Sequence, residues 1–149
     1  MWKSNDSYCT DKQLLESLRQ MPKGSIMIID GPSGCGKTRL LKQLSELGGR
    51  ALRIYSIGEF KEMLSISIRH PHRTLQNLFF DDIVAVEDID FLGITESLQT
   101  QAAFFLRHAA ENGSVILTGI RINERVPIVV DSFRKHGKAL RIWEYDVWA

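Results

Sequence analysis

The sequence predicts a three-layer α/β domain built on a five-stranded, mostly parallel sheet. Five short apolar runs of strand length alternate along the chain with stretches of helical periodicity. Such alternation indicates crossover connections, which make neighbouring strands parallel and place helices on both faces of the sheet. A chain of 149 residues suits one folding unit, so we treat residues 1–149 as a single domain.

The first half of the chain supplies two of the predicted strands. The capping-box pattern TDKQ predicts a helix over residues 10–21. Residues 25–30, SIMIID, form a nearly continuous apolar run, which is typical of a buried parallel strand. A glycine-rich loop and a predicted helix over 37–47 follow. Residues 51–55 are the second predicted strand, and a helix is predicted over 56–68.

The second half of the chain supplies three more strands. Residues 83–86 predict the third strand, and a helix over 95–112 follows it. Residues 115–118 predict the fourth strand. After a shorter helix over 127–135, residues 139–143 form the fifth strand. An unpaired outer strand invites association with other chains, so we expect Trp143, Tyr145 and Trp148 to cover the open edge of the fifth strand. The alternative is that they form an exposed patch for a partner.

The loop between the first strand and its helix carries the strongest chemical signal. Its sequence GPSGCGKT matches G-x-x-x-x-G-K-[ST], a phosphate-binding loop whose N–H groups form an anion nest beside a helix N-terminus. Lys37 should reach the β- and γ-phosphates, and the Thr38 hydroxyl should coordinate Mg²⁺. The sequence therefore predicts ATP or ADP with Mg²⁺, bound by Gly31, Pro32, Ser33, Gly34, Cys35, Gly36, Lys37, Thr38 and Arg39.

A second motif, VAVEDIDFLG, follows the third predicted strand. An apolar strand that ends in two acids can place one carboxylate beside the Mg²⁺ and a second beside the attacking water. We expect Glu87 to hold the metal through water and Asp88 to act as the base. The alternative is a strand that simply ends in solvated acids, and the upstream phosphate loop favours the catalytic interpretation.

Two other classes of phosphate-loop protein fit less well. Transporter ATPases carry a later signature rich in Ser-Gly-Gly-Gln, which this sequence lacks, and their domains are longer. Small nucleotide kinases need an arginine-rich substrate lid, and only Arg69 and Arg73 lie between the second and third predicted strands.

Three segments of the sequence resemble one particular family of phosphate-loop proteins. The run VEDIDFLGITESLQTQAAFF, the segment SIGEFKEML and the run LTGIR resemble the replication-initiator DnaA family and its short regulatory relatives over roughly residues 25–145. The resemblance implies an AAA+ nucleotide-binding fold with strand order 5-1-4-3-2. It also implies that Thr118 is the first sensor, a residue that contacts the γ-phosphate or the attacking water.

The sequence departs from that family at several functional positions. Glu87-Asp88 stands where the family has an Asp pair or Asp-Glu, and Ile120 stands where its sensor has an acid. The family's finger arginine lies in Ser-Arg-Phe, whereas Arg134 is displaced within Asp-Ser-Phe-Arg. Because the sequence ends at Ala149, soon after the fifth strand, we expect neither the family's helical lid nor its DNA-reading helix-turn-helix module.

Composition limits the partners and the compartment. Nineteen Lys and Arg residues balance 18 Asp and Glu residues, so the net charge of +1 predicts no broad basic field for nucleic acid. Two cysteines, Cys9 and Cys35, fit free thiols in a reducing cytosol. The sequence has no membrane-length apolar run and no apolar signal core at its start, so we expect a cytoplasmic protein.

Together these features predict a DnaA-like accessory or regulatory protein of DNA replication. It would contact another AAA+ or replication protein under nucleotide control, with weak or partner-dependent ATPase activity, and would reach DNA only indirectly. Two alternatives stay open: an active AAA+ ATPase such as a helicase loader, and a nucleotide-free adaptor that keeps only the fold. The sequence also leaves open whether the chain assembles with copies of itself.

Overall fold

The computed structural model describes residues 2–4, 7–9, 11–31, 37–47, 51–69, 83–137 and 139–145. The strands are β1 (Trp2–Ser4), β2 (Ser7–Cys9), β3 (Ser25–Asp30), β4 (Leu52–Tyr55), β5 (Ile83–Val86), β6 (Ser114–Gly119) and β7 (Ala139–Tyr145). The helices are α1 (Asp11–Arg19), α2 (Lys37–Leu47), α3 (Ile57–Arg69), α4 (Glu96–Asn112), α5 (Ile122–Arg125) and α6 (Pro127–Lys135), with a 3₁₀-helix over Ile89–Leu92.

Five parallel strands form the centre of the sheet. The strand order is β2-β1-β7-β3-β6-β5-β4, and β7, β3, β6, β5 and β4 run parallel to one another. These are the five predicted strands in the predicted order 5-1-4-3-2. The parallel α/β architecture predicted from the sequence is therefore confirmed.

Helices cover both faces of the sheet and produce the three layers. One face packs on α1 and α2, and the other face packs on α3, α4, α5 and α6. The first layer contains Leu18, Met21, Met27, Ile29, Leu40, Leu41, Leu44, Ile83, Ala85 and Ile116. The second contains Ile26, Ile28, Phe60, Leu64, Val84, Val86, Phe105, Leu106, Val115, Leu117, Val129, Val130 and Phe133, among others. Side chains along each strand alternate between these two layers, as the pleat requires.

A short antiparallel hairpin extends the sheet beyond the predicted strands. β1 pairs with β2 and also with β7, where Trp2, Lys3 and Ser4 lie opposite Tyr145, Glu144 and Trp143. The expectation that aromatic side chains cover an open edge at β7 was wrong, because β1 pairs with β7 and leaves no open edge there. Trp148 lies outside the described residues.

A capping box and a proline explain where two of the helices begin. At the start of α3, the Glu59 N–H donates to Ser56 Oγ (3.1 Å) and the Ser56 N–H donates to Glu59 Oε1 (3.0 Å), a reciprocal capping box. Pro127 is the first residue of α6, where a missing N–H has no intrahelical partner to lose. Within the described ranges, no helix combines the length and the apolar character needed to span a bilayer.

Candidate nucleotide-binding site

The carboxyl ends of three adjacent strands meet at one edge of the sheet. In register, Ile29 of β3 lies beside Thr118 of β6, and Val86 of β5 lies beside Leu117. The Gly31 N–H donates to the Gly119 carbonyl (3.0 Å), so the start of the phosphate loop is tied to the end of β6. In open parallel sheets this edge is where ligands bind.

Helix α2 follows the glycine loop and begins at Lys37, as the sequence predicts. Thr38 and Arg39 lie exposed in its first turn, and that turn carries no acidic residue. The positive end of this helix is therefore not neutralised by a carboxylate of its own first turn, which suits an anion. The predicted loop residues Pro32, Ser33, Gly34, Cys35 and Gly36 lie outside the described residues.

Glu87 directly follows β5 and stays within its hydrogen-bonded ladder. Its N–H donates to the Tyr55 carbonyl of β4 (2.9 Å). Ile83 and Ala85 face α1 and α2, so continued alternation places the half-buried Glu87 side chain on the same face of the sheet. Its Oε1 atom is buried and has no hydrogen-bond partner among the described residues.

Asp88 differs from Glu87 in both exposure and backbone geometry. Its side chain is exposed, and its backbone is left-handed, with φ 57° and ψ 43°. A non-glycine residue rarely adopts this conformation, although Asp and Asn tolerate it better than most. The Asp88 carbonyl accepts from the Phe91 N–H (2.9 Å) and so starts the 3₁₀-helix. The left-handed backbone at Asp88 therefore ends the extended course of the chain that Glu87 still follows.

Thr118 is the penultimate residue of β6 and is almost fully buried, at 2% exposure. Ile116 packs in the layer of α1 and α2, so Thr118 points to that same face. Glu87, Thr118 and the first turn of α2 are thus brought to one side of the sheet, next to the end of β3.

The finger candidate Arg134 lies elsewhere, in the last turn of α6. Its guanidinium is 3.8 Å from the Asp131 carboxylate of the same helix, and both side chains are at least half exposed. Such an exposed pair contributes little energy, so Arg134 could readily be released to another contact.

Sequence reasoning missed three polar residues that shape this edge. Asp30, the last residue of β3, accepts N–H hydrogen bonds from Arg121 (2.8 Å) and Ile122 (2.9 Å). The half-buried Asp90 has a buried Oδ1 atom with no hydrogen-bond partner in the described part of the chain, and a Cβ atom on Gly119 would collide with it. An acid that ends an apolar strand just before a phosphate loop was the available signal for Asp30.

The third missed residue is Gln99 of α4, which is 2% exposed. Its Nε2 donates to the Gly93 carbonyl (2.9 Å) and the Arg125 carbonyl (3.4 Å), and its Oε1 accepts from the Ile128 N–H (3.2 Å). One amide side chain therefore connects the segment after the acidic motif to α5 and α6. No local pattern in the sequence signals a bridge of this kind.

The described oxygen donors fit Mg²⁺. This ion prefers carboxylate and hydroxyl oxygen, and it usually takes only one or two protein ligands beside phosphate and water. Glu87 offers a buried carboxylate oxygen without a hydrogen-bond partner within the described residues, and Thr38 offers a hydroxyl in the first turn of α2. No group of three or more His, Cys, Asp and Glu side chains in the described ranges could hold a metal ion.

The backbone is similar to those of solved replication proteins. A replication initiator DnaA bound to AMPPCP and single-stranded DNA matches with a TM-score of 0.64 and 21% identity over 91% of this chain. Domain III of DnaA from Thermotoga maritima matches with a TM-score of 0.67 and 15% identity over 90% of this chain. The fold is that of a DnaA-like AAA+ domain. The predicted AAA+ architecture is confirmed at the level of the fold.

The matches differ in how much of the other protein they cover. The chain spans 44% of the DnaA chain with AMPPCP and DNA, and 60% of the Thermotoga maritima chain. The DnaC helicase loader matches with a TM-score of 0.62 and 13% identity, over 87% of this chain and 86% of the loader chain. No family model matches the sequence, and no curated protein matches it significantly.

Proposed function

We propose that this chain binds ATP or ADP with Mg²⁺ and acts as an accessory or regulatory protein of DNA replication. Its nucleotide state controls contact with another AAA+ protein. The observation that carries the proposal is the meeting of Gly31, Thr118 and the Glu87 carboxylate at one edge of a DnaA-like AAA+ fold.

Each residue has a defined task in this proposal. The N–H groups of the loop and the N-terminus of α2 bind the phosphates, and Lys37 contacts their outer oxygens. Thr38 and Glu87 hold Mg²⁺, which neutralises phosphate charge. Thr118 contacts the γ-phosphate or the attacking water from the end of β6. Asp88 accepts the proton of that water.

Charge supports a protein partner over direct contact with DNA. With a net charge of +1, the chain has little of the positive field that supplies most of the affinity of DNA-binding proteins. The similar structures include a replication initiator, a helicase loader and Pif1 helicases. We therefore propose a AAA+ protein of replication as the partner class.

The test is calorimetric titration of ATP and ADP into the purified chain, with and without Mg²⁺. Lys37→Ala should weaken ATP binding at least tenfold, which corresponds to about 1.4 kcal/mol, since charge-assisted contacts to phosphate are among the strongest hydrogen bonds. Lys42→Ala, an exposed lysine further along α2, is the matched control and should bind like wild type. If wild type binds neither nucleotide, the chain is an adaptor that keeps only the fold.

Glu87→Gln tests whether Glu87 holds Mg²⁺ or only contributes to nucleotide affinity. Glutamine keeps the size of the side chain but removes the anionic oxygen that Mg²⁺ prefers. The gain in ATP affinity on adding Mg²⁺ should shrink in this variant, while affinity without Mg²⁺ should hold or rise. An unchanged Mg²⁺ effect would remove Glu87 from the metal site.

An active ATPase such as a helicase loader is the second candidate. The supporting observation is that the chain spans 86% of the DnaC helicase loader chain, compared with 44% of the DnaA chain. Steady-state phosphate release distinguishes the candidates. Sustained turnover by the chain alone supports the ATPase, whereas ATP-dependent co-sedimentation with a replication AAA+ protein, without such turnover, supports the regulatory role.

A further inference from the structure

Asp30 occupies a position where a negative charge should be unfavourable. It ends the otherwise apolar strand β3 and directly precedes Gly31, the first residue of the phosphate loop. If the loop holds a polyphosphate, a carboxylate that directly precedes the loop in sequence adds like-charge repulsion, which costs free energy. A specific contact must therefore offset this cost.

Both carboxylate oxygens of Asp30 accept backbone hydrogen bonds from residues more than 90 positions away. The Arg121 N–H donates to Oδ1 at 2.8 Å, and the Ile122 N–H donates to Oδ2 at 2.9 Å. These N–H groups open helix α5, where they have no intrahelical partner. Hydrogen bonds to an ionised carboxylate are about twice as strong as neutral ones.

The same turn has a second link to β3. The Gly31 N–H donates to the Gly119 carbonyl at 3.0 Å. Arg121 holds a left-handed backbone, with φ 50° and ψ 47°, and this conformation directs its N–H and that of Ile122 to one carboxylate. Three hydrogen bonds thus fasten the turn after Thr118 to the strand that enters the phosphate loop.

We propose that Asp30 is a positioning residue that fixes the turn Gly119–Arg121, and with it Thr118, relative to the phosphate loop. Through this link the site distinguishes ATP from ADP, because the end of β6 is the part that meets the γ-phosphate. The inference rests on the proposed nucleotide site and adds a residue to it. A role in capping α5 alone would leave the preference between the two nucleotides unchanged.

The hydrogen bonds themselves can be tested without nucleotide. Asp30→Asn keeps the size of the side chain but turns one acceptor into a donor that faces an N–H group. Amide hydrogen exchange at Arg121 and Ile122, followed by NMR, should be at least tenfold faster than in wild type. Asp131→Asn removes the same charge from an exposed position on α6 and should leave both amides unchanged. If Asp30→Asn does not fold, Asp30→Ser keeps one acceptor oxygen and allows the same comparison.

Nucleotide affinity then tests the positioning role. In Asp30→Asn, ATP should bind at least fivefold more weakly, while ADP affinity should change less than twofold. Equal changes for both nucleotides, or unchanged exchange at Arg121 and Ile122, would overturn the inference while leaving the proposed function intact. If wild type binds neither nucleotide, the proposed function falls, and the positioning role falls with it.

Discussion

The carboxylate of Asp90 occupies the space that the Cβ atom of any other residue would need at position 119. A Cβ built on Gly119 would overlap Asp90 Oδ1 and would lie 3.0 Å from Ile122 Cγ1. Close approach of the 3₁₀-helix to β6 therefore accounts for glycine at this position.

Gly119→Ala should destabilise the protein by about 1–3 kcal/mol, the usual cost of forcing atoms into a packed interior. If Asp90 is the cause, the double variant Gly119→Ala/Asp90→Ala should recover at least about 0.5 kcal/mol relative to the sum of the single variants. Urea denaturation of the four proteins measures both quantities. Gly58→Ala is the control, because its new Cβ would meet only Ser56 Oγ at 3.9 Å. Additive single effects would show that Asp90 is not the obstacle.

Gln99→Leu should lower the free energy of unfolding by about 2 kcal/mol, because three backbone groups would lose partly buried hydrogen bonds to its amide. The groups concerned are the Gly93 and Arg125 carbonyls and the Ile128 N–H. For a domain of this size the melting temperature should fall by roughly 4–8 °C. Gln43→Leu replaces an exposed glutamine of α2 and is the matched control. A loss no larger than that of the control would show that the bridge to α5 and α6 adds no stability.

The capping box of α3 should make stability depend on pH. Hydrogen bonds from the Ser56 N–H and the Ser56 hydroxyl, with a smaller effect of the Arg53 charge, lower the pKa of Glu59. A lowered pKa in the folded state stabilises the protein above the ordinary glutamate pKa of about 4.3. That stabilisation is lost as pH falls through the lower pKa of the folded state.

Urea midpoints of wild type and Glu59→Gln between pH 7 and pH 3 test this effect. Glutamine can still accept the Ser56 N–H, so the difference between the two proteins reports the charge alone. Wild type should be more stable at neutral pH, and the difference should vanish towards pH 3. The control is Glu62→Gln, which removes an equal charge from the same helix outside the capping box. A difference between wild type and Glu59→Gln that stays constant across the range would contradict the prediction.

The sequence was sufficient to predict the parallel sheet because buried parallel strands are apolar on both faces. Runs such as SIMIID and the residues before Glu87 appear as continuous apolar segments bounded by loops, and all five lie where strands occur. The hairpin of β1 and β2 was missed because each strand has only three residues and no such run. Helix α5 was missed because four residues are too few to show a helical period.

The candidate site was only partly predictable from the sequence. Glu87 and Asp88 were predicted because they end an apolar strand, and Thr118 was predicted because LTGIR resembles the first-sensor segment of the DnaA family. Asp30 accepts a hydrogen bond from an N–H group 91 residues away, and Gln99 bonds backbone groups up to 29 residues away. Such partners are set by tertiary packing. Local sequence shows that a polar residue interrupts an apolar segment, but it does not show which N–H or carbonyl group satisfies it.

Asp88 is the predicted catalytic base, and its backbone geometry determines the best variant for testing it. Because Asp88 is left-handed, alanine there would add backbone strain, whereas asparagine tolerates the conformation and cannot take a proton from water. Wild type alone should release phosphate well below about 1 s⁻¹, the low end of typical enzyme rates. Asp88→Asn should remove whatever turnover remains and change ATP affinity less than about threefold.

The low expected rate follows from the displaced position of the finger candidate in the sequence. Arg134 lies in the last turn of α6, where its exposed pair with Asp131 contributes little energy. An arginine supplied at the γ-phosphate can be worth roughly 10³–10⁵ in rate. Phosphate release should therefore rise when a replication AAA+ protein able to supply that arginine is added, and Asp88→Asn should abolish the increase. The matched comparison is Asp131→Asn, in which Arg134 loses its pair. With the AAA+ protein added, this variant should release phosphate no more slowly than wild type. Rapid turnover by the chain alone that survives Asp88→Asn would reject Asp88 as the base, and with it the proposal that this protein acts mainly by nucleotide-controlled contact.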